Sequence, residues 1–327
     1  MSFPLGFLAF TTLSSLAYYG FRIYATDCDL NVSTASDSPV PAAFKNKRIW
    51  VTGASSGIGK ELGIQIAKLG GTVLLSARSE QGLLEVKKLI EEFQGKCEIL
   101  VLDLADLTSL SEKVVIARKL LGGDVDILVN NGGVSQRGFA NTTKFEVDEF
   151  IMKVNYFSAV ILTKALLTNW LSRPNKDSDP KGVINVSSLA GKLGTPLRTA
   201  YSGSKFALLG FMDALRTEVF DSNIVVTNIC PGSVATNISK NALKGTGEKF
   251  GVTDSNIAKG MKVERCVKLI LRAYANKITE IWAFGNPNEK AIYLAQYAPG
   301  LFQKLFLRFA SKLKERALKI IEECEKN

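Results

Sequence analysis

A tyrosine and a lysine stand four residues apart in the stretch Tyr-Ser-Gly-Ser-Lys, and a serine precedes the tyrosine by thirteen residues. Tyr201 and Lys205 would share one face of a helix, because residues i and i+4 are neighbours there. A nearby ammonium group favours the phenolate and lowers the pKa of a tyrosine. A tyrosine tuned in this way can give or take a proton at a reacting oxygen. The pair predicts proton-transfer chemistry, although Tyr-x-x-x-Lys alone carries little weight.

The chain has 327 residues and contains no histidine. This composition excludes a Ser-His-Asp triad, a Cys-His nucleophile pair and every metal site built on histidine. Proton transfer must therefore fall to Tyr, Lys, Asp, Glu or water. The five cysteines are scattered and form no CxxC pair, so we predict neither a disulfide framework nor a zinc ribbon, and no metal site. They are Cys28, Cys97, Cys230, Cys266 and Cys324.

The charge balance is basic, with 41 Lys and Arg against 31 Asp and Glu, for a net charge of +10. No basic run is interleaved with aromatic residues, and the excess is spread along the chain. We therefore predict no nucleic-acid partner. An anionic cofactor or an anionic membrane surface suits this charge better.

The first 25 residues are predicted to be a hydrophobic membrane anchor. The stretch from Phe3 to Phe21 is uncharged and mostly apolar, and as a helix it would extend about 28 Å, close to the hydrocarbon thickness of a bilayer. No charged side chain precedes the apolar run, whereas a cleaved signal peptide normally has a positive start. We favour an uncleaved anchor, and a cleaved signal on a secreted protein is the alternative. Residues 26–46 follow as a predicted linker rich in Ser, Asp, Ala and Pro.

From Lys47 onward, short apolar strands alternate with longer helices. This pattern predicts an α/β fold with a doubly wound parallel sheet, in a single Rossmann-type domain over residues 47–285. The predicted strands are Arg48–Thr52, Thr72–Ala77, Cys97–Leu102, Val125–Asn130, Gly182–Ser187, Ile224–Ile229 and Ile278–Trp282. The predicted helices are Gly57–Leu69, Ser79–Phe93, Thr108–Leu121, Val147–Leu171 and Ala200–Phe220.

A glycine-rich turn, Thr-Gly-Ala-Ser-Ser-Gly-Ile-Gly at residues 52–59, lies between the first predicted strand and the first helix. Glycines allow a tight turn and a close approach of the backbone to a pyrophosphate. The N-terminus of the following helix adds amide donors and a favourable dipole. The turn therefore predicts a dinucleotide site.

Several motifs now stand in one order and spacing, and with them the chain resembles the short-chain dehydrogenase/reductase family from about residue 47 to 285. The motifs are TGASSGIG at 52–59, Asp103, NNGG at 130–133, Asn155, Ser187-Ser188, Tyr201-x-x-x-Lys205 and Pro231-Gly232-x-x-x-Thr236. The resemblance implies an oxidoreductase that interconverts a carbonyl and an alcohol with a nicotinamide dinucleotide.

The resemblance also implies a role for each matched residue. Tyr201 would be the general acid in reduction and the base in oxidation, Lys205 would lower its pKa and hold the nicotinamide ribose, and Ser188 would hydrogen-bond the substrate oxygen. Asn155 would anchor a water in the proton relay, and Ser187 is expected to be structural. Asp103 would contact the adenine, Asn131 the adenosine ribose region, and Thr236 the carboxamide. The implied cofactor-binding residues are Gly53, Ser55, Ser56, Gly57, Ile58, Gly59, Arg78, Asp103, Asn131, Tyr201, Lys205 and Thr236.

The end of the second predicted strand bears on the choice of cofactor. Family members that use NAD carry an acidic residue there, and this chain has Ala77 followed by Arg78. An arginine can hold the 2′-phosphate of NADP. We therefore predict NADP(H) in preference to NAD(H), with an NAD-linked, alcohol-oxidising dehydrogenase as the alternative.

The remaining segments bear on substrate and location. Residues 233–262, called the lid segment below, fall where this family places its substrate lid. Residues 286–327 form a basic amphipathic tail that would contact a membrane, its own domain or a dimer partner. Membrane-anchored reductases of this family imply the endoplasmic reticulum, with the peroxisomal membrane as the alternative, and a substrate of lipid metabolism. A steroid, a retinoid, a quinone and a glycerone-phosphate lipid all stay open as that apolar substrate. A non-catalytic, membrane-tethered dinucleotide-binding scaffold is a further alternative.

Overall fold

The centre of the molecule is a seven-stranded parallel sheet. The structure is a computed structural model that describes residues 18, 20–172 and 179–325. The strands are β1 (Arg48–Thr52), β2 (Thr72–Ala77), β3 (Lys96–Val101), β4 (Ile127–Asn130), β5 (Gln136–Arg137), β6 (Lys181–Val186), β7 (Ile224–Pro231), β8 (Leu243–Lys244) and β9 (Glu280–Ala283). The main sheet has the order β3-β2-β1-β4-β6-β7-β9, and β5 pairs separately with β8. Every pair in the main sheet is parallel, which confirms the predicted doubly wound fold.

Helices cover both faces of this sheet. They are α1 (Leu30–Thr34), α2 (Val40–Phe44), α3 (Gly57–Lys68), α4 (Glu80–Glu91), α5 (Leu110–Leu120), α6 (Phe145–Met152), α7 (Ser158–Leu171), α8 (Thr199–Glu218), α9 (Ser255–Ala258), α10 (Val263–Ala275), α11 (Ala291–Tyr297) and α12 (Pro299–Glu325). The buried side chains of α3, α4 and α10 form one core layer. Those of α5, α7 and α8 form the other.

Strand β1 shows how the sequence produces these two layers. Successive side chains of a strand point to opposite faces of the sheet. Ile49 and Val51 accordingly belong to the first layer, and Trp50 to the second. All three are fully buried, which explains why the central strand reads as an unbroken apolar run.

The structure differs from the sequence prediction at residues 26–46, which fold onto the domain instead of forming a linker. Val32 and Phe44 are fully buried, and the ring of Phe44 lies 5.6 Å from that of Tyr274 in α10. The Asp37 carboxylate accepts two hydrogen bonds from Arg272, at 2.6 and 2.8 Å. Composition conceals this docking, because it depends on a few apolar side chains and on the ion pairs of Asp27 and Asp37 within a polar stretch.

The predicted membrane anchor lies largely outside the described residues. Residues 20–25 are helical, and their side chains at Phe21 and Tyr24 are exposed. Within the described ranges, the helical stretch Phe145–Leu171 is long and apolar enough to cross a bilayer, with a mean hydropathy of 1.4. Half of its apolar window is buried in the domain, and α7 contributes to the second core layer. We therefore assign this stretch to the core.

A buried ion pair joins the amino-terminal ends of three neighbouring strands, at the end of the sheet opposite the predicted site. The Asp126 carboxylate accepts a hydrogen bond from the Arg48 amide at 2.7 Å and another from the Lys181 ammonium. Removing one member leaves the other buried and uncompensated. We expect Asp126→Ala to lower the free energy of unfolding in urea by about 3 to 5 kcal/mol.

The matched control for that substitution is Asp179→Ala. Asp179 pairs with Lys47 at 2.7 Å, but its side chain is 80% exposed. The Lys47 side chain is 10% exposed, but the Asp179 carboxylate lies in solvent, and a pair screened by water contributes about 0 to 1 kcal/mol. A small change is therefore expected. Equal losses in the two variants would contradict the importance given to the buried pair.

Candidate active site

The reactive side chains gather at the carboxyl ends of the parallel strands, where open α/β sheets bind their ligands. Strand β6 ends at Val186, and Ser187 and Ser188 follow it. Helix α8 carries Tyr201 and Lys205 on one side, and both are buried. The strand end and the helix therefore bring the serine and the tyrosine together.

Ser188 is the serine that faces the tyrosine. Its hydroxyl lowers the pKa of the Tyr201 phenol, donates to the Pro231 carbonyl at 3.3 Å and accepts from the Ala190 amide at 3.1 Å. The hydroxyl of Ser187 instead donates to the Lys205 carbonyl, at 3.2 Å. This geometry agrees with the predicted division between a site serine and a structural one.

The electrostatics of Tyr201 differ from the sequence prediction. Burial raises the pKa of its phenol, and the Ser188 hydroxyl and the charges of Arg198 and Arg137 oppose that rise. The Lys205 ammonium lies 5.9 Å from the centre of the tyrosine ring and donates to the Val186 carbonyl at 2.9 Å. Burial also lowers the pKa of Lys205 to about 8. The rise in the Tyr201 pKa caused by burial is thus larger than the lowering that was expected from Lys205.

Asn155 lies within a single π-helical turn, Lys153–Phe157, between α6 and α7. Such turns are often found at functional sites. The Asn155 side chain accepts from the Val134 amide at 2.8 Å and donates to the Val134 carbonyl at 2.9 Å and to the Ser204 hydroxyl at 3.0 Å. It therefore connects the loop after β4 to the helix of Tyr201. Its predicted role with a relay water stays a prediction.

The glycine-rich turn borders a cavity of about 700 Å³. Gly53 has φ of +66°, in the left-handed region that favours glycine. A Cβ at Gly59 would lie 2.3 Å from the Gly53 carbonyl oxygen. Ser56 is the N-cap of helix α3, but its side chain accepts no hydrogen bond from the first turn. The first amides of the helix are therefore not capped by that side chain. Such a cradle fits a pyrophosphate.

Most of the predicted cofactor residues border this one cavity. They are Gly53, Ser55, Ser56, Gly57, Ile58, Arg78, Asp103, Asn131 and Thr236. Gly59 packs against the Gly53 carbonyl, and Lys205 lies next to the cavity wall at Gly133, where a Cβ would be 3.6 Å from the lysine nitrogen. Tyr201 is on the same side of α8 as Lys205, with the lysine nitrogen 5.9 Å from its ring centre. The cavity and the proton-transfer residues therefore form one site.

The Asn131 side chain braces the glycine-rich turn, and its implied contact with the adenosine ribose region stays a prediction. Its side-chain amide donates to the carbonyls of Thr52 and Gly53, at 2.9 and 3.2 Å. These bonds hold the glycine-rich turn against the end of β4. Asn131 borders the cavity, but its amide group braces the cradle.

Three charged residues near Tyr201 were missed by sequence reasoning. Arg137, Arg198 and Asp254 form a cluster of ion pairs, and both arginines act on the phenol. They are far apart in the sequence and occur in no motif, so no spacing signal points to them.

With the geometry established, the comparisons with known proteins decide the family. Residues 47–247 match the family model described as short chain dehydrogenase. The chain belongs to the short-chain dehydrogenase/reductase family. Members of this family are oxidoreductases that use a nicotinamide dinucleotide, so the predicted enzyme class is confirmed.

Individual short-chain dehydrogenase/reductases support this assignment. Dehydrogenase/reductase SDR family member 7 of Homo sapiens is 40% identical over 256 residues, which cover 77% of this chain and 74% of that protein. Dehydrogenase/reductase SDR family member 7B of Xenopus tropicalis is 37% identical over 290 residues, which cover 85% and 89%. A crystal structure of a short chain dehydrogenase/reductase from Burkholderia phymatum in complex with NAD has a TM-score of 0.69 at 19% identity, covering 79% of this chain and 96% of that one. That likeness shows the shared fold.

Proposed function

We propose that this protein is a membrane-tethered, NADPH-preferring carbonyl reductase that acts on an apolar substrate. The main support is that the Ser188 side chain lies close enough to Tyr201 to lower the pKa of its phenol, beside a dinucleotide cavity. Two hydroxyl groups at one point can polarise a carbonyl oxygen and protonate it. The cavity wall includes an apolar section formed by Val134, Phe150 and Val154 near Asn155, which suits an apolar substrate.

In the proposed mechanism, the bound cofactor supplies a hydride to the carbonyl carbon. Tyr201 transfers its phenolic proton to the carbonyl oxygen, which becomes the alcohol. Ser188 hydrogen-bonds the same oxygen and orients it. Lys205 is held by the Val186 carbonyl, where it would position the nicotinamide ribose. Asn155 holds the loop after β4 against α8 and would anchor the water that restores the tyrosine proton.

The direction of the reaction should depend on pH. Burial raises the pKa of Tyr201, so its phenol is protonated near neutral pH, the form that reduction needs. Oxidation needs the phenolate, which forms only as the pH rises towards that pKa. We expect reduction to be insensitive to pH between roughly pH 5 and 7 and to slow near pH 8, where Lys205 loses its charge, and oxidation to increase steadily into the alkaline range. Initial rates in both directions would test this, and oxidation that is fastest near neutral pH would contradict it.

The preference for NADPH is supported by Arg78, an exposed arginine on the cavity wall directly after β2. The residue before it, Ala77, has no carboxylate to bind the ribose hydroxyls of NAD. A hydrogen bond to a charged group contributes about 1.5 to 3 kcal/mol.

We therefore expect Arg78→Ala to weaken NADPH binding by about tenfold to a hundredfold and to change NADH binding little. Fluorescence titration with both cofactors would measure this. Arg118→Ala is the control. Arg118 lies on α5, forms an ion pair with Asp124 and does not line the cavity. No initial preference for NADPH, or an equal loss for both cofactors, would favour the NAD-linked alternative.

A panel of carbonyl compounds tests the proposed function itself. The purified full-length protein would be assayed for NADPH oxidation with quinones, retinal, ketosteroids and glycerone-phosphate lipids. Turnover of at least one class is the expected result. Tight NADPH binding without turnover of any of them would support the non-catalytic scaffold.

The proposed membrane tether is supported by the positions of the two chain ends. Cys28 pairs with Ala283 on the edge strand β9, and the Lys290 ammonium donates to the Tyr24 carbonyl. The N-terminal segment and the tail helices thus leave the domain at the same edge. Leu301, Leu305 and Phe309 are exposed on one face of α12, next to the row formed by Lys304, Arg308 and Lys312. An apolar row beside a basic one suits an anionic membrane surface.

Extraction of cell membranes at alkaline pH would test the tether. The full-length protein should stay in the membrane pellet, and its release into the supernatant would contradict an anchor. Fractionation would then distinguish the endoplasmic reticulum from the peroxisomal membrane.

A further inference from the structure

Two arginines near Tyr201 share a single carboxylate. Arg137 belongs to β5, and its side chain is 2% exposed. Arg198 precedes the first turn of α8, the helix that carries Tyr201, and its side chain is 25% exposed. Each guanidinium donates to the same oxygen of Asp254, at 3.3 Å in both cases. Two cations are therefore balanced by one anion, and the cluster keeps a net positive charge.

Burial of the Arg137 guanidinium costs free energy. One of its terminal nitrogens donates to the Ser135 hydroxyl at 3.0 Å and to the Gln136 carbonyl at 2.8 Å, and its guanidinium lies 5.9 Å from the ring centre of Phe250. Its Nε has no hydrogen-bond partner among the described residues. Burial lowers the pKa of Arg137 to about 10, so the group is still cationic at neutral pH. A buried charge with an unsatisfied donor calls for a specific reason.

The cluster is rigidly connected to the tyrosine and to the lid segment. The side chain of Gln136, next to Arg137, accepts a hydrogen bond from the Ala200 amide at 2.9 Å, one residue before Tyr201. Asp254 belongs to the lid segment and caps α9 by accepting from the Asn256 amide at 2.9 Å. Strand β8 of the lid segment pairs with β5. The ion pairs therefore lie where the lid segment meets the site.

The groups that act on the phenol identify the source of the positive field. Ser188, Arg198 and Arg137 favour the ionised phenol, against the effect of burial. Lys205 faces the tyrosine ring, but its ammonium is bound to the Val186 carbonyl. The two arginines therefore do part of the work that the sequence motif alone would assign to the lysine.

We propose that Arg137 and Arg198 are positioning residues that supply a positive field to Tyr201, and that Asp254 in the lid segment sets the strength of this field. This inference rests on the proposed function, in which Tyr201 is the proton donor. In this structure the lid segment places the Asp254 carboxylate against both guanidiniums, so a movement of the lid segment would change the field. Access of substrate and the readiness of the phenol to release its proton are thereby linked.

The test follows the ionisation of Tyr201 in the full-length protein containing fluorotyrosine. The ¹⁹F resonance that disappears in Tyr201→Phe is assigned to the Tyr201 phenol. Its chemical shift is followed against pH without substrate, and the midpoint is the pH at which the phenol is half ionised. Arg137→Gln and Arg198→Gln should each raise the midpoint by roughly 0.5 to 1 pH unit. Asp254→Asn should lower it, because the arginines lose their counter-ion.

Midpoint shifts of opposite sign in the arginine variants and in Asp254→Asn distinguish an electrostatic effect from a structural one. A purely structural role would lower activity without moving the midpoint in these directions. If Arg137→Gln does not fold, the more exposed Arg198→Gln provides the same comparison with Asp254→Asn. Unchanged midpoints in the folded variants, or shifts of the same sign, would overturn the inference. The midpoint can be measured without turnover. If the shifts occur as predicted but the protein reduces no carbonyl, the inference stands and the proposed function is rejected.

Discussion

Tyr201→Phe is expected to lower kcat for carbonyl reduction by about a hundredfold to ten-thousandfold, the range that general acid catalysis contributes. The substitution removes one hydroxyl, and with it the proton that faces Ser188. The ring remains to fill the buried position. With no histidine in the chain, few groups could replace the phenol. NADPH binding should change little, because the substitution keeps the ring and leaves the glycine-rich turn at residues 52–59 intact.

The matched control is Tyr274→Phe, which also removes a hydroxyl from a buried tyrosine. Tyr274 lies on α10 and packs against Phe44 in the first core layer, away from the site. Its variant should keep wild-type kcat. Steady-state rates and NADPH titrations would be measured for both variants. Full turnover by Tyr201→Phe would contradict the assigned proton donor.

Gly59→Ala is expected to weaken NADPH binding by at least about a hundredfold, which corresponds to about 2.7 kcal/mol. The added Cβ would lie 2.3 Å from the Gly53 carbonyl oxygen and 2.4 Å from the Asn131 side-chain nitrogen. Both neighbours belong to the cradle, and the Asn131 amide holds the turn through Thr52 and Gly53. One methyl group therefore displaces the turn that must meet the pyrophosphate.

Gly203→Ala is the matched control for that substitution. Gly203 lies inside α8 between Tyr201 and Lys205, and a Cβ there meets nothing within 4 Å. Alanine should stabilise this helix by about 1 kcal/mol and leave NADPH binding unchanged. Dissociation constants and urea unfolding curves would be compared. Equal NADPH affinity in Gly59→Ala and wild type would show that the turn does not form the cofactor cradle.

The sequence predicted the sheet well, because its strands are buried on both faces and contain continuous apolar runs. The bounds of β1 and β2 agree with the prediction, and the predicted helix over 200–220 differs from α8 by one and two residues at its ends. Helix α10 was not predicted, although Cys266, Val267, Ile270 and Tyr274 form a buried stripe on it. It follows the lid segment, where polar residues and glycines conceal the start of a helix.

The motif residues were found because their chemistry depends on local spacing. The groups that adjust them were not, because they converge only through tertiary structure. Arg137, Arg198 and Asp254 come from β5, the start of α8 and the lid segment. The effect of burial on Tyr201 is likewise a property of the packed site. Position in a motif therefore indicates which groups react, and the surrounding fold determines how readily they do so.

Transfer of deuterium from NADPH labelled at the nicotinamide C4 tests the proposed reaction most directly. Each substrate of the carbonyl panel would be incubated with the wild-type protein and the labelled cofactor, and the alcohol analysed by mass spectrometry and NMR. With both C4 hydrogens of the cofactor replaced by deuterium, we expect one deuterium on the carbon of the former carbonyl with wild type, and a rate reduced by at least about a hundredfold with Tyr201→Phe. If no alcohol forms with wild type, or if the alcohol contains no deuterium at that carbon, the assignment as an NADPH-dependent carbonyl reductase is wrong.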